Sequence, residues 1–124
     1  MTEDISFIEK EVEHACDLAL QGGDYIKKER WVDAAVNIAT SMGIYEKYGL
    51  NEYYDRVRRI LFSKVEQQIA LEVEALAEEK CIPLDDITMT ELREYTPTYS
   101  GMMTRLESQR KEYENKLLDL YSKK

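Results

Sequence analysis

Apolar residues return every third or fourth position through most of this chain. Ile5, Ile8, Val12, Ala15, Cys16 and Ala19 form the first such stripe, a spacing that lines side chains along one face of an α-helix. Thr2 stands at the N-cap position, with Glu3 and Asp4 against the positive end of the helix dipole. Gly22-Gly23 is the expected stop, because glycine readily takes the left-handed backbone that closes a last turn. A second helix is expected from Asp24 or Glu29 to Tyr48, with Val32, Ala35, Val36, Ala39 and Met42 as its stripe and Gly49 as its end. Small side chains dominate that stripe, so another helix can approach it closely.

Asn51 caps the longest expected element, 51–80, which carries Tyr54, Val57, Leu61, Val65, Ile69, Val73 and Leu76. A helix of that length spans roughly 45 Å, which predicts an elongated molecule or a helix that protrudes. Pro83 and Pro97 then bracket a short helix in which Thr88-x-x-Glu91 fits a capping box. The last helix is expected to start near Thr98 or Ser100. Met103, Leu106, Tyr113, Leu117 and Leu120 hold heptad-like spacing along it, with Arg110 at one step. Five helices, two of them long enough for coiled-coil-like packing, predict an all-α, elongated bundle forming a single domain over 1–124. With two prolines and five glycines, the chain lacks the frequent turn signals of a β-rich fold.

Composition agrees with that architecture: 44% of residues are hydrophobic and 34% charged, as suits a small helical protein with a large solvated surface. The net charge of −8 is uneven, at −6 over 1–24, +3 over 25–64, −7 over 65–98 and +2 over 99–124. Alternation of sign along the chain predicts that acidic and basic helices neutralise one another side by side. The competing reading is an acidic face presented to a basic partner. No basic-then-apolar leader opens the sequence and no apolar run approaches membrane-spanning length, so a reduced, cytoplasmic protein is expected. Cys16 and Cys81 then read as small packing residues.

Candidate chemistry is sparse. Glu11-x-x-His14 is half of the ligand set of a dinuclear metal bundle, but His14 is the single histidine and cannot supply the second half. Cys16 lies only two residues on and points elsewhere on a helix. Glu52-x-x-Asp55 and Glu91-x-x-Glu94 have the form of magnesium-binding pairs in helical nucleotide pyrophosphohydrolases, yet they occur in reverse order and carboxylates are abundant. No phosphate loop, nucleophile elbow or Cys/His dyad is present. The reading is therefore a non-enzymatic chain with no cofactor, catalytic residue or metal ligand assigned.

Arg56, Arg58 and Arg59 form one basic cluster. Arg56 and Arg59 share the polar side of the long helix, while Arg58 falls beside the apolar stripe, where its stem can lie along the core and its head reach outward. An acidic chain with one short basic cluster lacks the electrostatic footprint of a nucleic-acid binder. Nine tyrosines are a stronger signal. Tyr45, Tyr48, Tyr53 and Tyr54 gather around the Gly49 turn, and tyrosine is common at protein interfaces. Gln68 and Glu72 fall on the extrapolated apolar stripe of the long helix, so that stretch is expected to be solvated or to pair with another chain. These features predict a non-catalytic protein-binding bundle, with Tyr45, Tyr48, Tyr53, Tyr54, Arg56, Arg58 and Arg59 as candidate partner-binding residues. An acidic inhibitor or regulator of a nucleic-acid-handling machine, such as a viral anti-defence protein, is one form of it. The alternatives are a small-ligand or nucleotide-binding bundle and a structural homo-oligomer, for instance a homodimer through the long helices.

Overall fold

Helices α1 (Thr2–Lys27), α2 (Trp31–Lys47), α3 (Asn51–Val57), α4 (Ser63–Lys80), α5 (Met89–Tyr95) and α6 (Pro97–Ser122) build the molecule. A π-helical turn at Arg58–Phe62 joins α3 to α4 without a break, and a short 3₁₀ turn, Leu84–Asp86, precedes α5. The computed structural model describes residues 2–122. The side chains of Thr2, Glu3, Asp4, Leu117, Leu120 and Tyr121 are outside the described set, and the cap expected at Thr2 and the heptad steps at Leu117 and Leu120 fall on them. The fold is an all-α bundle, with no strand among the described residues.

α2 is the central helix, packed against α1, α3, α4 and α6. Its Ala34, Ala35 and Ile38 are fully buried, and Val36, Met42, Val65 of α4 and Met102 of α6 complete the core. The small residues of the α2 stripe do what their size predicts. α1 comes so close that a Cβ built on Gly22 would lie 2.5 Å from Ile38 Cγ1. Farther along the same contact, the buried Ser41 hydroxyl donates to the Ala15 carbonyl at 2.7 Å. A second close approach joins α6 to α2, where a Cβ on Gly101 would lie 2.7 Å from Val32 Cγ2.

That contact also corrects the expected end of the first helix. Gly22-Gly23 does not stop α1, which continues to Lys27. Gly22 is there because only hydrogen fits against Ile38. α1 instead ends at Glu29, whose φ of 59° is left-handed. Glu29 N–H donates to Ile26 O, and Arg30 N–H reaches back to Tyr25 O at 2.9 Å, the paired bonds of a Schellman closure. α2 ends the same way at Gly49 and α4 at Cys81, with Leu50 N–H on Tyr45 O and Ile82 N–H on Ala77 O. Of the three left-handed closures, only the one at Gly49 announces itself as a glycine. Trp31, not Asp24 or Glu29, is the first residue of α2, and α6 begins at Pro97 rather than at Thr98 or Ser100, since proline suits a first helical turn that needs no N–H.

The π turn has its origin in the long stripe. From Val57 to Val73 every apolar step is four residues, and a regular α-helix overshoots by about 40° at each. The wider turn absorbs one residue of that drift, so Tyr54, Val57, Leu61, Phe62 and Ile69 all pack against the core. Ser63 N–H reaches back to Arg58 O, while its hydroxyl donates to Arg59 O at 2.6 Å.

Gln68 and Glu72, polar residues on that stripe, also have an intramolecular explanation. The Glu72 carboxylate accepts from the Thr98 backbone N–H at 2.8 Å and from its hydroxyl at 2.5 Å, and Gln68 donates to it at 3.1 Å. Glu72 thus caps the first turn of α6 from another helix, favoured by the dipole. Asp33 of α2 holds the same helix farther on, bonded to Arg105 of α6 and, at 2.7 Å, to Arg30. The hydrogen bond from Arg105 holds the Asp33 carboxyl below its ordinary range, with Arg30 adding to the shift and burial opposing it.

Two predictions follow from this packing. Gly22→Ala should destabilise by about 1–3 kcal/mol through overpacking, whereas Gly43→Ala on the exposed side of α2, where nothing lies within 4 Å, should stabilise by roughly 0.5–1 kcal/mol; chemical denaturation of both variants reads the opposite signs. Asp33 releases its proton more readily folded than unfolded, so its contribution is complete above the ordinary aspartate value of about 3.9 and is lost as pH falls through the lower folded value. Melting temperatures on acidification across that range should fall more steeply in the parent than in Asp33→Asn.

Candidate functional site

The close α1–α2 contact takes up the alanines and glycine of α1, and the larger apolar residues on its adjoining face are left to one side. There Val12, Leu20 and Ile26 of α1 face Val57 of α3 and Leu61 of the π turn across a cleft of about 670 Å³. Leu20 is 66% exposed, high for a leucine inside a bundle. Tyr45 and Tyr53 close one part of the wall, their rings stacked with centroids 5.5 Å apart and planes 23° from parallel. The volume falls within the range of sites that take small molecules, and an apolar groove between helices equally suits a partner's amphipathic helix.

The seven candidate residues do not form one surface. Tyr45 is buried, and that burial raises its phenol above the ordinary value, with Cys16 and Tyr53 beside it adding to the effect. Tyr53 is half exposed on the cleft, and the Arg56 guanidinium sits 6.0 Å from its ring centroid. Tyr54 turns the other way and packs on the core. Tyr48 leaves the cleft entirely: its hydroxyl donates to Glu11, which Lys47 also approaches at 3.5 Å. The Glu11 bond and partial burial raise the Tyr48 phenol, and Glu11 chiefly raises the Lys47 ammonium. Glu11 is thereby engaged with α2, and His14 is exposed one turn on.

Two of the three arginines stay together. Arg56 lines the cleft and also, with Arg59, Glu52, Asp55 and Ile60, an adjoining shallow hollow, and Arg58 is exposed.

The rim of the cleft is charged in an ordered way. Glu13 and Asp24 stand on the α1 wall, Arg56 and Lys64 on the opposite wall, and Lys27 at the end of α1. Among the described residues, none of these five belongs to an ion pair. Sequence reasoning missed the α1 wall altogether, because Leu20 lies off the Ile5–Ala19 stripe and Cys16 was read as a packing residue. Both cysteines are exposed, Cys16 on the cleft and Cys81 at the closure of α4. An apolar residue just beside a stripe of alanines is the signal that would have found it.

Exposure of both thiols is testable. In dilute solution the folded protein should give two fast equivalents with a maleimide, at rates near those of an unfolded chain; a thiol that reacts only after denaturant is added is packed, contrary to this arrangement. No protein-family model, curated protein or solved structure matches the chain, and the cleft stands as the candidate site on its geometry alone.

Proposed function

We propose that this chain is a non-catalytic protein-binding module whose α1–α3 cleft receives an amphipathic helix of a partner. The observation that carries the reading is the cleft itself, an open apolar trough between Leu20 and Val57 with stacked tyrosines in its wall and unpaired charges of both signs along its rim. An amphipathic helix presents what this trough lacks: a row of apolar side chains at three- and four-residue spacing, with polar residues on either flank. Tyr53 supplies a large, stiff contact at small entropic cost, and Arg56 beside it is of the residue type that recurs at interface centres.

A second form of the same reading rests on the carboxylates of α1. Glu9, Glu13, Asp17 and Asp24 are exposed and, among the described residues, outside any ion pair. Ion pairs between helices join Glu11 with Lys47, Asp33 with Arg105 and Lys80 with Glu91, and leave these four over. They suit an acidic regulator that settles on a cationic groove of a nucleic-acid-handling protein. Such binding weakens steeply with salt, whereas insertion of apolar side chains into the cleft does not.

The test uses a photocrosslinking amino acid at Tyr53, or at Leu20, in the producing cell, with Glu66 on the outer face of α4 as the control position. Adducts to protein from the cleft positions and none from the control are expected, with the yield lost when Val57→Asp is added. Cleft positions no more reactive than the control would remove the proposal.

A further inference from the structure

The occupant that best fits the cleft is a segment of this same chain. α6 is one continuous helix from Pro97 to Ser122, and only its first part is packed: Met102, Met103 and Leu106 touch the core, while Glu107 through Lys116 are all exposed. Its apolar stripe does not stop where the packing stops. Leu106, Tyr113, Leu117 and Leu120 continue at heptad spacing with Arg110 at one step, and Tyr113 is 64% exposed. A stripe sustained beyond the bundle is a surface made for another helix face.

Charge identifies the face. At about 100° per residue, Glu107 and Glu114 lie along one edge of the stripe, and Gln109 and Lys116 along the other, with Lys111 and Glu112 farther round toward the outer face. The cleft has a layout that can answer it, with Arg56 and Lys64 on one wall and Glu13 and Asp24 on the other, where Lys27 stands at the far end. Only one direction of the docked helix brings the acidic edge to the basic wall and the lysine edge to the acidic wall, so the pairing fixes orientation as well as affinity. Arg110 and Glu114 pair within the helix at 3.2 Å, but both are more than half exposed, and such a surface pair costs little to exchange.

The helix cannot serve its own cleft. α6 packs on α2, α4 and α5, with α2 as its largest contact, and reaching the α1–α3 trough would mean breaking a continuous helix in its middle. We infer that the outer half of α6, Glu107–Ser122, docks in the α1–α3 cleft of a second copy of the chain. In a reciprocal exchange each copy donates one helix and accepts one, which gives a closed two-fold dimer. The inference rests on the reading that the cleft receives a helix and names the helix.

Light scattering across a concentration series tests it. The expected mass is twice the 14.6 kDa of the chain. Reversing the basic wall with Arg56→Glu and Lys64→Glu should weaken association at least about tenfold, and adding Glu107→Lys and Glu114→Lys to that variant should restore it. All four positions are exposed, and retained helical circular dichroism confirms that each variant folds. Single-thiol variants give an independent readout: labelling of Cys16 slows as the dimer forms, while labelling of Cys81, away from the cleft, does not. A monomeric mass at the highest soluble concentration overturns the inference. So does a dimer indifferent to the wall reversal, or one in which Cys16 stays reactive. A monomer whose cleft still crosslinks to a different protein also overturns it, while leaving the proposed function in place.

Discussion

The contact between α1 and α2 governs most of what the molecule is. A hydrogen at Gly22 instead of a methyl lets the two helices meet against Ile38 and Ala34, and Ser41 bonded to the Ala15 carbonyl holds the same close contact farther along. Two helices at this separation exclude large side chains from between them, so the bulk on α1 is displaced sideways. Val12 and Leu20 are that displaced bulk, and with Ile26, which also packs on the core, they become a wall of the cleft. The close packing and the open groove are two faces of one constraint.

Polar interactions then fix the remaining helices, partly to this pair and partly to each other. Glu72 offers its carboxylate to the start of α6 from the side of α4, and Asp33 grips α6 through Arg105 about two turns later. α5 is held more lightly, by its own Thr88–Glu91 capping box and by Lys80, which bonds Glu91 at 2.5 Å and lies over the Tyr95 ring. The hydrogen bond from Lys80 holds the Glu91 carboxyl below its ordinary range, helped by the Thr88 backbone N–H. No buried side-chain nitrogen or oxygen is left without a partner among the described residues. The interior of this acidic protein is therefore electrically settled, and its surplus charge lies at the surface.

The helices were legible in the sequence because their signal, apolar spacing, is carried by many residues at once. Gly49, the Thr88 capping box and the small-residue stripe of α2 each meant what local chemistry says they mean. Gly22 did not, because a glycine admits two explanations, a left-handed turn or a close neighbour, and only the neighbour, Ile38, distinguishes them. Glu29 was invisible as a helix end, since a left-handed residue that is not glycine carries no mark in the sequence, whereas the end at Lys80 was read where it falls because the apolar stripe stops there. Of the residues named from their clustering near the Gly49 turn and in the basic run, Tyr45, Tyr53 and Arg56 lie on the cleft. Tyr48 and Tyr54, equally good candidates by type, were sorted away from the cleft by their azimuth on the helix. Azimuth could not be read correctly through 58–62, where the period changes.

That change of period has a consequence for how such a molecule can vary. α4 belongs to the core through Val65, Leu76 and Ala77, whereas α3 has no fully buried residue. The π turn lies between them and holds one residue more than a regular helix needs. Were the same residues wound as a regular α-helix, α3 would be turned by about 100° relative to α4, carrying Tyr53 and Arg56 off the cleft and Tyr54 and Val57 off the core. Recognition and folding thus share one continuous helix, and both depend on a one-residue phase. The same turn is where the chain can lose a residue at least cost, since deleting one there restores the regular winding with both flanking faces kept.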